Sequence, residues 1–189
     1  MPAKPAIAAP PDHLPHDETA RSALRAAAAA LDAAEQQGQP HAMAVALAQM
    51  AHCLVALQAP AQAETYLDAA LRWSRAAGAT DQTVDLLCEL CDLAERQAQT
   101  QDARATGLGH AARERARDHA FEASALAGRV ADPDWEIRVL LRVSDVLDRC
   151  GDRDDAVQLQ TRALRLMARD DSSSHDPRVL PGLGRLADH

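Results

Sequence analysis

The stretch GDRDDAVQLQTRALRL, residues 151–166, decides the fold predicted for this chain. Its pattern predicts a tight turn followed by a helix, and the preceding DWEIRVLLRVSDVLDRC predicts that helix's antiparallel partner. Gly151 can end the first helix in a left-handed conformation without steric cost, and the aspartate after it can cap the second. Ala156 and Ala163 lie on one face and are small enough to let a neighbouring helix approach closely.

Alanine dominates the composition and predicts an all-α fold. Of the 189 residues, 47% are hydrophobic but only 2% are aromatic. Alanine favours helix and buries little area, so close approach between helices has to replace bulky side chains in the core. Alternating strand patterns are absent from the sequence. We therefore predict an all-helical protein of about seven helices.

Charge and hydropathy argue against nucleic acid and membranes as partners. The net charge is −8, whereas phosphate binding needs an excess of cations. No apolar run approaches the roughly 18 residues of a spanning helix, and the first 16 residues lack an apolar core of signal-peptide length. The basic residues are almost all arginine. The four cysteines lie inside helical patterns, and this placement is typical of reduced thiols. We expect a bacterial protein of the cytoplasm.

Prolines and glycines divide the chain into a leader, a helical domain and a tail. Residues 1–16 carry five prolines and are predicted to be a flexible leader. Residues 17–169 are predicted to form the helical domain, and residues 170–189 a mobile tail. Short links make successive helices antiparallel neighbours. The helices are expected to begin near Asp17, Pro40, Pro60, Thr80, Gln101, Pro133 and just after Gly151.

Aligning the helix pairs indicates an internal repeat. A small residue stands where the two helices of each pair should cross, namely Ala51, Cys91 and Ser144 in turn. The inward positions around these residues in the leading helices are Leu47, Met50, Leu54, Leu87, Leu90, Ala94, Leu140, Val143 and Leu147. The inward positions of the second helices are Ala63, Leu67 and Ala70, then Ala103, Gly107 and His110, then Ala156, Gln160 and Ala163. Ala20, Leu24 and Ala27 fit the same pattern as a leading half-repeat.

This pattern of small residues and turns resembles the tetratricopeptide repeat family over residues 17–169. The resemblance implies a right-handed α-solenoid of antiparallel helix pairs. The family's usual period is about 34 residues, whereas the second-helix alanines here are 43, 40 and 53 residues apart. The fourth helix is expected to end near Gln97. The longest interval needs about ten more residues between Ala103 and Asp132, and it predicts an unusually long or broken fifth helix around residues 118–129.

Cys88 and Cys91 form a local pattern that has a chemical name, Cys-x-x-Cys. A redox or metal motif of this kind needs a low-pKa thiol at a helix N-terminus, or a second pair of ligands. Here the pair lies two turns inside a helix that begins near Thr80, and no second cysteine pair follows. Because cysteine packs as a small hydrophobe, we interpret both residues as core filling.

The other candidate side chains lack the arrangement that catalysis or metal binding requires. His110 and His119 share a helix but point to different faces, because nine residues separate them. Arg113, Arg115 and Arg117 form a basic cluster that acidic residues interrupt, which is typical of a solvated face. We therefore expect no catalytic residue, no metal ligand and no cofactor.

In the resembling family, the leading helix of each pair lines a concave surface that binds partners. Its outward positions here are mildly acidic with an apolar end, which would suit a basic or amphipathic segment of another protein. The lysines and asparagines of the family's clamp for C-terminal carboxylates are absent, which argues against recognition of heat-shock chaperone tails. The predicted groove residues are His52, Val55, Asp85, Asp92, Glu95, Arg96, Arg138, Asp145 and Arg149.

These observations favour a noncatalytic module that binds another protein or peptide segment through this groove, and they leave self-association as a homodimer open. The alternative is a secretion or assembly chaperone that holds an extended client, and whose client would depend on it for solubility. A thiol- or metal-dependent enzyme is a third reading, which rests only on the cysteine pair.

Overall fold

The structure, a computed structural model, describes residues 14–104 and 107–174, with side chains between residues 17 and 169. Within these residues the chain forms seven α-helices and no strand, which confirms the all-helical prediction. The helices are α1 (Leu14–Gln37), α2 (Pro40–Ala56), α3 (Pro60–Ala77), α4 (Thr80–Ala103), α5 (Gly109–Ala127), α6 (Pro133–Cys150) and α7 (Arg153–Ser174).

Prolines and glycines set several helix boundaries, as predicted. Pro40, Pro60 and Pro133 each stand in the first turn of a helix, where the missing N–H breaks no intrahelical hydrogen bond. Gly151 follows α6 with a φ of 96°, a left-handed conformation that a side chain would disfavour. Asp132 caps the same helix, since its Oδ1 accepts a hydrogen bond from a first-turn backbone N–H at 2.9 Å.

The helices pack in chain order, so that consecutive helices are neighbours, and α4 also contacts α6. Polar contacts between side chains join α2 to α4 and α4 to α6, so these three leading helices share one layer. Other polar contacts join α3 to α5 and α5 to α7 on the second layer. This layered arrangement of antiparallel pairs is that of a helical-repeat solenoid.

The core combines leucine and valine side chains with close contacts at alanine. Ala51, Cys91 and Ser144, the predicted crossing residues, are all buried, and so are Ala156 and Ala163 in α7. On the second layer α5 turns a row of alanines toward α4 and leaves none of them accessible to solvent. That row consists of Ala112, Ala116, Ala120, Ala123 and Ala127. Helices whose contact residues are this small can approach closely, which compensates for the small area that each alanine buries.

The prediction for the boundary between α4 and α5 was wrong. α4 continues past Gln97 to Ala103, and α5 begins at Gly109 rather than near Gln101 and runs unbroken to Ala127. No proline or glycine interrupts residues 80–104, so nothing in the local sequence ends α4 earlier. The extra length of the middle unit therefore lies in α4 and the link that follows it, not in α5.

This shift also corrects the predicted inward residues of the middle unit. Ala103, Gly107 and His110 are exposed, and Gly107 lies in the link with a φ of 70°. The alanine row of α5 occupies the inward positions instead. Gly109 stands at a close approach of two helices, because a Cβ there would lie 3.1 Å from the carbonyl oxygen of Ala98 in α4.

The predicted limits of the helical domain also shift slightly. α1 begins at Leu14, so that Asp17, the predicted cap, lies in its first turn. α7 continues past Arg169 to Ser174. The rest of the predicted leader and tail, residues 1–13 and 175–189, lies outside the described residues.

Candidate functional site

An ion pair between consecutive leading helices crosses the inner layer. Asp92 on α4 accepts hydrogen bonds from Nε and one Nη of Arg142 on α6, at 2.9 and 2.6 Å. Asp92 is a predicted groove residue, and its partner was not predicted. Because this carboxylate is held within the chain, it contributes less negative charge to the groove than the sequence indicated.

Glu95 was predicted to face the groove, and the structure corrects this. Its side chain is buried beside Arg149 of α6, with 3.3 Å between Oε1 and Nε. Gln99, one turn further along α4, also donates a hydrogen bond to this carboxylate. Glu95 therefore joins α4 to α6 and is not available to a partner.

His52 connects the first two leading helices. Its Nε2 lies 2.7 Å from Oε2 of Glu89 on α4, and its imidazole is exposed. The hydrogen bond to Glu89 favours the protonated ring and raises the pKa of His52. This contact is therefore sensitive to pH near neutrality, where histidine changes charge.

Four of the predicted groove residues meet around a cavity of about 170 Å³ between α2 and α4, which we call the His52 cavity. Its walls include Leu67 of α3, so the cavity reaches from the inner surface toward the second layer. The predicted residues that line it are His52, Val55, Asp92 and Arg96, and the others include Glu89, Leu93 and Arg142.

A second cavity of about 420 Å³ adjoins the first at Val55, Leu93 and Arg96, and we call it the Arg104 cavity. It lies between the α2–α3 turn and the C-terminal half of α4. Pro60 and Ala61 extend its apolar wall, and Gln58, Gln97, Thr100 and Gln101 supply polar groups. Within the described part of the chain, neither Arg96 nor Arg104 belongs to an ion pair, although Nε of Arg96 donates to the backbone carbonyl of Asp92 at 3.1 Å.

A network of three side chains fixes one wall of the Arg104 cavity. Arg115 of α5 donates to Glu64 of α3 and to Gln97 of α4, each at 3.0 Å. Gln97 in turn donates to the other oxygen of Glu64 at 2.9 Å. The negative charge of Glu64 is therefore compensated by Arg115, and the charges that face the cavity from Arg96 and Arg104 are positive.

The remaining predicted groove residues lie on the same layer but line neither cavity. Arg138, Asp145 and Arg149 are exposed on α6. Asp85 is exposed on α4, and partial burial raises the pKa of its carboxyl group, although a hydrogen bond with the Trp135 side chain opposes this shift. The structure therefore divides the predicted groove into a cavity-lining group and residues outside it.

The Cys88 and Cys91 side chains are buried among the core residues of α4. Burial raises the pKa of Cys88 to about 12 and also raises that of Cys91, because the thiolate loses its hydration. The Cys91 thiol donates a weak hydrogen bond to the carbonyl oxygen of Ala116 at 3.3 Å. Both positions agree with the interpretation of these residues as core filling.

The basic cluster of α5 is compensated by acidic groups. Arg113 pairs with Asp102, and Arg115 with Glu64. Arg117 lies 2.9 Å from Glu114 and 2.7 Å from Asp152. In the described part of the chain, no group of three or more His, Cys, Asp or Glu residues is placed to hold a metal ion. None of the described helices combines the length and hydropathy needed to cross a membrane.

Sequence reasoning missed two groups of residues at this site. The first comprises the partners Glu89 and Arg142, whose contacts depend on how neighbouring helices are rotated. The second group lies at the C-terminal end of α4, because the sequence analysis expected this helix to end near Gln97. Arg96, Thr100 and Arg104 are spaced four residues apart and lie on one helix face. This spacing would have indicated the cavity wall if α4 had been predicted to continue past Gln97.

Solved structures match this fold. The crystal structure of BtubC (BKLC) from P. vanneervenii aligns with 91% of this chain, with a TM-score of 0.62 and 17% sequence identity. This chain covers 65% of that BtubC chain, slightly less than two thirds. The DHF58 filament aligns over 85% of both chains with a TM-score of 0.51 and 22% identity. The de novo designed helical repeat protein DHR64 gives a TM-score of 0.47 at 20% identity.

At these identities the similarity shows the fold alone. No protein-family model and no curated protein matches the sequence.

Proposed function

We propose that this protein is a noncatalytic interaction module, built of tetratricopeptide-like helix pairs, whose inner layer binds a segment of another protein. The observation that carries the proposal is the Arg104 cavity, which places an apolar wall beside two arginines. A cavity of about 420 Å³ has room for one or two side chains of an extended segment. Helical-repeat proteins use such inner surfaces to bind partners.

The charges of the inner layer favour a partner segment that carries an acidic residue. Asp92 and Glu95 are paired with arginines of α6, so the negative charge that the sequence indicated is largely compensated. Arg96 and Arg104 remain as cationic groups beside Val55 and Leu93. We therefore propose an amphipathic segment with an acidic residue, in place of the basic segment that the sequence suggested.

The environment of the cysteines supports the noncatalytic part of the proposal. A thiol nucleophile must be accessible and easily deprotonated, whereas Cys88 and Cys91 are buried and their pKa values are raised. The same proposal places the protein in the cytoplasm. In support, all four cysteines are free thiols, the state that a reducing compartment maintains.

The experiment begins by cross-linking the full-length protein in a native lysate and mapping the cross-linked segment of its partner. A synthetic peptide of that segment is then titrated against wild type and against the double variant Arg96→Glu, Arg104→Glu. The matched control is Arg72→Glu, Arg129→Glu, since these two arginines are also exposed but line neither cavity. Circular dichroism checks that all three proteins are equally helical.

We expect the cavity variant to weaken peptide binding by about tenfold or more, which is roughly 1.4 kcal/mol, and the control to bind like wild type. A peptide that both variants bind as tightly as wild type would place the binding surface elsewhere. Equal weakening by both variants would indicate general charge attraction and would also contradict the proposal.

A further inference from the structure

The exposed side of α7 carries an apolar stripe at the end of the helix array. Val157, Leu164 and Met167 are exposed to 51%, 63% and 45%, and the half-buried Gln160 and Thr161 lie between them on the same side. The hydroxyl group of Thr161 donates to the backbone carbonyl of Val157 at 2.8 Å, so its hydrogen-bonding capacity is partly used within the helix. Arg162 and Arg165, the charged residues between Val157 and Met167, lie off the stripe, whereas the exposed Arg153 lies in line with it one turn before Val157.

This stripe is not the face by which α7 joins the fold. The packed face carries Ala156 and Ala163, which are buried, and Leu159 and Leu166, which pack against the buried side chains of α6. Arg162, on the same side, pairs with Glu136 of α6 at 2.5 Å. The large exposed apolar residues therefore lie on the side of α7 that no described element covers.

The two ends of the array differ in whether they expose large apolar side chains. The outer face of α1 exposes alanines together with charged residues such as Arg21, Arg25 and Glu35. None of the large exposed apolar side chains among the described residues belongs to α1. A polar outer face keeps the end of a repeat array soluble, and on α7 the exposed polar residues are interrupted by Val157, Leu164 and Met167. A head-to-tail contact would set this apolar stripe against the polar face of α1.

We infer that α7 is the contact surface of a symmetric dimer, in which the stripe packs antiparallel against the same stripe of a second copy. A two-fold axis makes such a contact self-complementary and closes it at two chains. Charge favours the antiparallel direction. Asp154 and Arg165, eleven residues apart, lie on the same flank of α7, so antiparallel pairing brings the Asp154 end of one copy toward the Arg165 end of the other.

The size of the surface sets the strength of the dimer. From Val157 to Met167 the stripe is about 15 Å long, at a rise of about 1.5 Å per residue. One helix face per copy is smaller than the roughly 800 Å² per partner of a standard interface. The dimer is therefore weak and dissociates on dilution.

Analytical ultracentrifugation of the full chain over about a hundredfold range of concentration tests this inference. We expect the mass to rise from 20.2 kDa toward twice that value and no further. Leu164→Asp is expected to raise the dimer Kd at least about tenfold, because each dimer loses two buried leucines. The matched control is Leu108→Asp, since Leu108 is 61% exposed but lies in the link before α5, outside the stripe. It should leave the Kd unchanged.

A charge exchange tests the direction of packing while leaving the apolar stripe intact. Asp154→Arg and Arg165→Asp should each raise the Kd severalfold, and the double variant should restore it. A mass of 20.2 kDa at all concentrations, open-ended growth, or equal effects of Leu164→Asp and Leu108→Asp would overturn the inference. So would a chain ending at Ser174 that dimerises when the full chain does not, because residues 175–189 would then be the occupant of the stripe.

Discussion

Arg142 on α6 binds Oδ2 of Asp92 on α4 through two nitrogen atoms, at distances of 2.9 and 2.6 Å. The pair connects two leading helices through residues that are fifty positions apart in the sequence. It also lines the His52 cavity, so the same contact supports the fold and shapes the candidate binding surface.

We expect a double-mutant cycle with Asp92→Ala and Arg142→Ala to give a coupling of about 0.5–1 kcal/mol in the free energy of unfolding. The value is small because Arg142 is 45% exposed, and it should decrease in high salt. The control is the Glu18–Arg25 pair on α1, in which both side chains are more exposed and which should show almost no coupling. Equal coupling in the two pairs would mean that Asp92 and Arg142 do not join the helices.

The contact between His52 and Glu89 predicts a pH dependence of stability. The folded state raises the pKa of His52 above its ordinary value of about 6.5, mainly through the hydrogen bond to Glu89. The stabilisation is therefore fully present below pH 6.5 and is lost as the pH rises through the folded pKa. We expect the stability difference between wild type and His52→Gln to decrease as the pH rises above about 6.5 and through the raised pKa of His52.

Chemical denaturation at each pH measures this difference. His119 contributes an opposite trend, since burial lowers its pKa, but it is present in both proteins and cancels. Parallel stability curves for wild type and His52→Gln would show that the contact does not form in solution.

Ala156 should not tolerate a large side chain, because it is buried where α7 packs on α6. We expect Ala156→Trp to destabilise the protein by about 1–3 kcal/mol through overpacking. Thermal melting should show a decrease of about 2–4 °C for each kcal/mol in a chain of this size. Gln158→Trp, at an exposed position on the same helix, is the control, and identical melting of the two variants would contradict the packing described for α7.

The four cysteines should label in two classes. Cys53 and Cys150 are partly accessible, whereas Cys88 and Cys91 are buried and burial raises their pKa values. Burial also raises the pKa of Cys150. Because the thiolate is the reactive form, we expect Cys53 to react first and Cys150 more slowly in the native protein, and Cys88 and Cys91 only after unfolding. Mass spectrometry after alkylation identifies them. Fast labelling of Cys88 or Cys91 would revive the reading of this protein as a thiol enzyme.

The fold could be predicted in outline because its signals are local. Prolines at the first turn of α2, α3 and α6 and the left-handed Gly151 mark boundaries that depend on only a few neighbouring residues. The end of α4 could not be placed this way, because no proline or glycine stands within residues 80–104. Alanine did not show which face of a helix is buried, because it occurs on buried and exposed faces alike.

The site was harder to predict because its contacts join distant parts of the chain. Glu95 and Asp92 lie on the same helix and both look like exposed acids in the sequence. Glu95 is buried under Arg149, whereas Asp92 borders a cavity. The helical period tells which residues share a face, but it does not tell how far a neighbouring helix extends over that face.

The alanine row of α5 has a consequence for the heat capacity of unfolding. Alanine exposes little apolar surface when the protein unfolds, while the helical backbone exposes as many polar groups as in any other helix. Apolar exposure raises the heat capacity and polar exposure lowers it, so the contribution of α5 should fall below the usual 12–15 cal/mol/K per residue. Because α4 buries Leu86, Leu87, Leu90 and Leu93, the contribution of α5 to stability should depend less on temperature than that of α4, and cooling should weaken it less.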